Sequence, residues 1–232
     1  MAPATDGPFA GSINRSSLLS NIGGSEDSNE TITRRVLLLL EGEWLSNEEG
    51  FDSIRKCVIE RYVKGTPKDH QLALFLLNDI IRYWRTIAVD FAFKTTEGDS
   101  PKPWAIRNIK LVFSRKLMYA GGLFAVGMTV DRTEESKVKI LEDLFRMPVI
   151  ERMKYLCGPN RISKALASYD FFLRAMEDDA VRNHLKKLTL EGRYDPLFRD
   201  LKNEAHRFTR ELLGAFERTF HSTHPIRRAV IF

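Results

Sequence analysis

The chain has 232 residues, of which 43% are apolar and 29% charged, with 15 Phe, 6 Tyr and 3 Trp. That balance belongs to a globular protein with ample core material and excludes disordered, collagen-like and low-complexity classes. Lys and Arg outnumber Asp and Glu, 36 against 31, so the chain is mildly basic, which permits a phosphate-bearing partner without requiring one.

Residues 1–29 are rich in Gly, Ser, Pro, Asn and Asp and predict a flexible lead-in with one short helical turn over 15–22. A single helical domain over 30–232 follows. Ile32, Val36, Leu37, Leu39 and Leu40 open its first helix, with Asn29 or Thr31 as cap. Ser46-x-x-Glu49 has the form of a capping box ahead of Phe51, Ile54, Val58, Ile59 and Tyr62. Gly65-Thr66-Pro67 stops that helix. Asp69 opens a long helix over about 70–93 whose apolar residues lie all round its axis, the pattern of a helix at the centre of a bundle. A polar loop over 94–103 leads to a helix from about Trp104 to Met128, where Gly121 and Gly122 predict close helix contact.

Thr133 caps the next helix, with Glu134 and Glu135 in its first turn. It ends before Pro148, which suits the first turn of a short segment. Gly158-Pro159-Asn160 breaks the chain, and helices follow over about 161–177 and 179–188. Asp178-Asp179 read as caps there. Asp195-Pro196 starts a last long helix to about Phe220. Clean apolar–polar alternation is absent, so the fold class expected is all-α: an irregular bundle of about eight helices around the central one. Met118, Tyr119, Phe124, Phe171, Phe172 and Phe208 are spaced as core, and none reads as a stacking platform for bases.

Cys57 and Cys157 form no CxxC pair, which argues against a disulfide framework or structural zinc and fits a reducing compartment. The longest uncharged run, Leu117 to Val130, is too short to cross a bilayer. The N-terminal residues lack the basic and apolar regions of a signal peptide. A cytoplasmic protein with no membrane partner is expected. P-loop, dinucleotide-binding, H-E-x-x-H and G-x-S-x-G patterns are missing. D-x-D and D-x-E are missing too, and with them the close carboxylates that magnesium-dependent nucleotidyl transfer needs. No catalytic residue and no metal ligand is assigned.

Two polar faces stand out. On the central helix, Asn78, Arg82 and Arg85 share one face, and Asp79, Thr86 and Asp90 the neighbouring one. On the next helix, Arg107, Lys110 and Ser114 fall at i, i+3 and i+7, with Arg115 and Lys116 just off that face. Charges on a central helix must be paired or line a water-filled cleft. Two readings stay open: a phosphate-binding cleft of Arg82, Arg85, Arg107, Lys110 and Ser114, or an internal network in which Asp79 and Asp90 pair with those arginines. Thr33-Arg34-Arg35 reads as a solvated pair, though cations at a helix start oppose its dipole and point to a partner for at least one.

The Arg-x(4–6)-His pattern of HEPN ribonucleases occurs twice, at Arg199 and His206 and at Arg218 and His224, about as often as 22 Arg and 5 His produce by chance. Arg199 and His206 share a face of the last helix. Their chemistry would be acid–base cleavage of RNA.

TITRRVLLLLEGEWL (31–45), LFLLNDIIRYWRTIAVDFAFK (74–94) and IRNIKLVFSRKLMYAGGL (106–123), in this order and spacing, resemble the helical C-terminal portion of bacterial nucleotidyltransferase-domain proteins of the polymerase-beta type. The likeness covers roughly 8–232. Such proteins carry a catalytic domain with a Gly-Ser turn and D-x-D carboxylates ahead of the helical part. Here Gly11-Ser12 and Gly24-Ser25 have no such carboxylates after them. The resemblance implies a helical substrate-binding module that contacts nucleotide phosphates through its basic cleft, with Lys110 and Ser114 similar to a triphosphate-contacting pair. It implies no catalysis by the chain alone, and Mg with a nucleoside triphosphate only where a catalytic domain is supplied. That domain and a nucleotide are the expected partners. An interaction module pairing with a separate nucleotidyltransferase and a HEPN-like ribonuclease are the alternatives, and nucleic-acid binding is left open.

Overall fold

The computed structural model describes residues 12–20, 22–64, 70–96 and 103–230. The stop at Gly65-Thr66-Pro67, Asp69, Gly11, the centre of the 94–103 loop and the first eleven residues of the lead-in lie outside them. Among the described residues all regular structure is helical, with no strand, so the fold is an all-α bundle. No helix there is long and apolar enough to cross a membrane. Where the sequence places one helical domain over 30–232, the chain groups into two compact units. Unit 1 comprises residues 1–83, 121–152 and 224–232, and unit 2 comprises 84–120 and 153–223.

The elements of unit 1 are α1 (Arg15–Leu19), α2 (Asn29–Glu41), α3 (Glu48–Lys64), the first part of α4 (Leu74–Thr96), the end of α6 (Lys116–Gly127), α7 (Glu134–Arg146), the start of α8 (Val149–Cys157) and α12 (Pro225–Ala229). Val36, Val58, Ile59, Leu76, Ile80 and Leu141 are fully buried among them. Each such side chain contributes about 1.5–3 kcal/mol by leaving water. The glycines of α6 do what their positions predict. A Cβ on Gly122 would sit 3.0 Å from Leu40 and 3.1 Å from Ile80, and one on Gly121 would come within 2.8 Å of Val149. Only a residue without a side chain lets these helices approach so closely.

Two caps differ from the sequence reading. Ser28, not Asn29 or Thr31, caps α2 by accepting from the Thr31 N–H. Asn47, not Ser46, accepts from the Gly50 N–H at 2.8 Å, one position later than the capping-box pattern expects. In both places the polar residue nearest the helix start is the one whose oxygen reaches the free amides. Thr133, Asp178 and Asp195 cap as expected.

Unit 2 holds the rest of α4, α5 (Trp104–Lys110), a π-helical turn (Leu111–Arg115), the start of α6, most of α8, α9 (Pro159–Glu177), α10 (Asp179–Lys187), a 3-10 turn (Leu190–Tyr194) and α11 (Pro196–Thr219). Its centre is aromatic. Phe113 stacks on Phe172 at 4.7 Å between ring centres and meets Phe208 at 5.2 Å, and Tyr169 closes the cluster against both partners. Such ring pairs add about 0.5–1.5 kcal/mol beyond burial. α11 packs its whole inner stripe here, from Phe198 and Leu201 through Phe208 to Phe216.

Not every apolar residue is core. Phe171 is 47% exposed, against expectation, because α9 turns Phe172 inward instead. On α4, Leu74, Phe75, Val89 and Phe93 also reach solvent. The charge is unevenly divided as well. Unit 2 carries 20 Lys and Arg against 13 Asp and Glu, and unit 1 carries 16 against 18.

Candidate functional site

The helix that starts at Trp104 does not run as one regular α-helix. At Leu111–Arg115 it widens into a π turn, and the Lys116 N–H donates back to the Leu111 carbonyl, five residues earlier. This widening changes which side chains share a face. In a regular helix Lys110 and Ser114 would align. With one extra residue in the turn, Arg115 takes the place beside Lys110, and Ser114 turns toward the interior, 3.5 Å from the Tyr169 hydroxyl.

The result is a depression of about 210 Å³ in unit 2. Arg107, Lys110 and Arg115 supply its positive charge, and Ile87, Phe91 and Leu111 its apolar wall. Asp90 is its one carboxylate, and it is engaged by Lys94 at 2.7 Å and more distantly by Arg107 at 4.0 Å. The Arg107 Nε is buried and has no hydrogen-bond partner among the described residues. The single carboxylate of the depression is therefore already engaged.

The other predicted site residues lie elsewhere. Arg85 is exposed on α4 and does not line the depression. Its charge is felt by Tyr119, whose hydroxyl is pushed up to about 12, chiefly by burial. Arg82 belongs to unit 1, where its Nη2 donates to Asn29 Oδ1 at 3.2 Å and its Nη1 lies 3.8 Å from Asp79. Asp79 is buried in the same unit. It accepts from the Tyr62 hydroxyl at 2.7 Å and lies 3.4 Å from the guanidinium of Arg35. Arg35 also donates to Tyr62 at 2.9 Å and pairs with Asp27 at 2.5 Å. Burial raises the Asp79 carboxyl above its ordinary range, opposed by the Tyr62 hydrogen bond and the charge of Arg35. Burial, with the Asp79 charge beside it, also drives the Tyr62 hydroxyl far above its ordinary value.

Arg35 thus does not belong to a solvated pair: it is completely buried, and the dipole conflict read from the sequence is resolved by two carboxylates. Arg34 keeps a helix partner, Glu30, at 2.6 Å. A second buried cluster escapes the sequence altogether. Arg152 donates to the carbonyls of Leu144 and Met147, and Arg55 to that of Phe145, so two guanidiniums hold the C-terminal end of α7. Cations there suit the helix dipole. Burial, with Arg55 close by, pulls Arg152 down to about 10.

In unit 2, Lys116 donates to Thr209 at 2.8 Å and Lys202 to Asn108 at 3.0 Å. Both acceptors are neutral. Burial lowers both ammonium groups from their ordinary value, and Lys202 lowers Lys116 further. Arg199 and His206 are exposed on α11 and make no hydrogen bond or ion pair among the described residues. His224 instead caps α12, accepting from the Ile226 N–H, and Arg218 donates to the Arg161 carbonyl.

No protein-family model, no curated protein and no solved structure matches this chain.

Proposed function

We propose that the chain is a helical module that binds the phosphate groups of a nucleotide in the depression formed by Arg107, Lys110 and Arg115. The observation that supports this is the lining of that depression: Arg107, with its buried Nε lacking a partner among the described residues, and Lys110 stand beside an apolar wall, and the one lining carboxylate is already held by Lys94. Arg offers two-point contact to phosphate and Lys a mobile point charge. About 210 Å³ is below the roughly 300–1,000 Å³ of sites that enclose a whole small molecule. The phosphates fit inside, and the nucleoside remains outside for a partner to recognise.

That division of labour agrees with the likeness to the helical part of polymerase-beta-type nucleotidyltransferases, which gives the module its role: substrate binding beside a separately supplied catalytic domain. The depression itself does not fit a divalent cation, because Asp90 is its only carboxylate and is neutralised. Titration of the full chain with ATP tests the proposal. Binding in the micromolar-to-millimolar range, about 4–8 kcal/mol, is expected. Arg107→Gln and Lys110→Ala should each weaken it at least about tenfold, roughly the 1.5–3 kcal/mol of a charge-assisted hydrogen bond. Unchanged ATP binding in both variants would overturn it.

A further inference from the structure

α11 has two faces of opposite character. Its inward stripe holds Phe198, Leu201, Ala205, Phe208, Leu212 and Phe216. At about 100° per residue, Arg199, Asn203, His206 and Arg210 fall within an arc of about 60°, about 150° from the middle of that stripe. All four are exposed.

Arg199 and Arg210 differ from several other surface arginines of unit 2. Arg174 is tied to Asp170 at 2.7 Å, Arg207 to Glu204 at 2.8 Å, and Arg182 to Asp179, each on its own helix. Arg199, His206 and Arg210 have no such partner among the described residues. At the head of the same helix stands Tyr194, 67% exposed, with the guanidinium of Arg193 lying 4.8 Å from its ring centre. Tyr194 ends the 3-10 turn and directly precedes Asp195, the cap of α11.

We propose that this face of α11 is a track for a single-stranded nucleic acid, with Arg199, His206 and Arg210 on its phosphates and Tyr194 stacked on an unpaired base. Three observations favour this partner. The 1.5 Å rise per residue sets Arg199, His206 and Arg210 about 10 and 6 Å apart in a line, matching a repeating charge on an extended backbone. An exposed aromatic among basic residues accepts the face of any base. The excess of positive charge resides in the unit that contains this helix. An acidic peptide would use the cations but not the ring of Tyr194, and a duplex would hide its base faces. This surface shares no residue with the Arg107 depression.

The test is fluorescence anisotropy of a labelled oligoadenylate RNA of about 12 nucleotides, a length within the usual range of single-strand sites. The full chain should bind it. Arg199→Gln with Arg210→Gln should weaken binding at least tenfold. The same variant should flatten the dependence of log affinity on log salt by about 1.4, two phosphates at about 0.7 each. Tyr194→Ala should weaken binding about tenfold and leave the salt dependence unchanged. Lys139→Gln, an exposed change on α7, should have no effect. All these positions are exposed, and unchanged helical circular dichroism checks that each variant folds. The proposal is overturned if the arginine pair can be removed without loss, if Tyr194→Ala is silent, or if polyglutamate binds as tightly as the RNA.

Discussion

At the residue scale, the most costly group to disturb is Arg35. Its guanidinium compensates two buried carboxylates, Asp27 and Asp79, and takes part in a hydrogen bond with Tyr62. Arg35→Leu leaves both carboxylates without that compensation, and breaking a buried pair costs about 3–5 kcal/mol. Chemical denaturation should show a loss of that size, with the midpoint falling and the slope preserved. His224 gives a pH effect. Burial lowers its proton affinity below the ordinary 6.5, opposed by the Asp131 charge, while its Nδ1 serves as the acceptor that caps α12. The folded state therefore favours neutral imidazole. The cap's contribution is complete above the unfolded value and is lost as pH falls through the lower folded one. Protection of the Ile226 amide from hydrogen exchange should fall on acidification, so that its rate slows less than the intrinsic rate does, and His224→Asn, which caps without titrating, should abolish that difference.

At the element scale, the π turn at Leu111–Arg115 decides which side chains face solvent and which face the core. It sends Phe113 into the aromatic centre and brings Arg115 beside Lys110. Phe113 is fully buried against Phe172 and Phe208. Phe113→Ala removes that ring and leaves a cavity, at about 3–5 kcal/mol. Thermal unfolding should register it as a large drop in midpoint, and a smaller loss would mean that the helices close over the gap. Local residue types made most elements readable in advance: the caps at Thr133, Asp178 and Asp195 and the core position of Phe208 follow from them. The π turn was not readable, because an i+5 hydrogen bond leaves no periodic trace in five residues. A face computed at regular spacing therefore put Ser114 where Arg115 belongs.

At the scale of the whole molecule, charge is partitioned between the two units, a property that no single segment displays. Position should then matter more than net charge in binding a polyanion. On a heparin column, Arg199→Gln with Arg210→Gln should elute at clearly lower salt than the unaltered chain. Lys56→Gln with Lys139→Gln, exposed lysines of unit 1, changes net charge equally and should elute close to it. Equal shifts in both pairs would show a response to net charge alone.

The helical class, the caps at Thr133, Asp178 and Asp195 and the absence of a spanning helix among the described residues were determined by the sequence itself, since each depends on residues within a few positions of one another. The partners of Arg35, the guanidinium clamp on the end of α7 and the make-up of the basic depression were decided only by the tertiary structure. Arg35 lies 44 positions from Asp79, and Arg55 lies 90 from Phe145. Charge pairing over such separations depends on which helices the core brings side by side, and helical periodicity specifies the face a residue occupies but not the neighbour it meets.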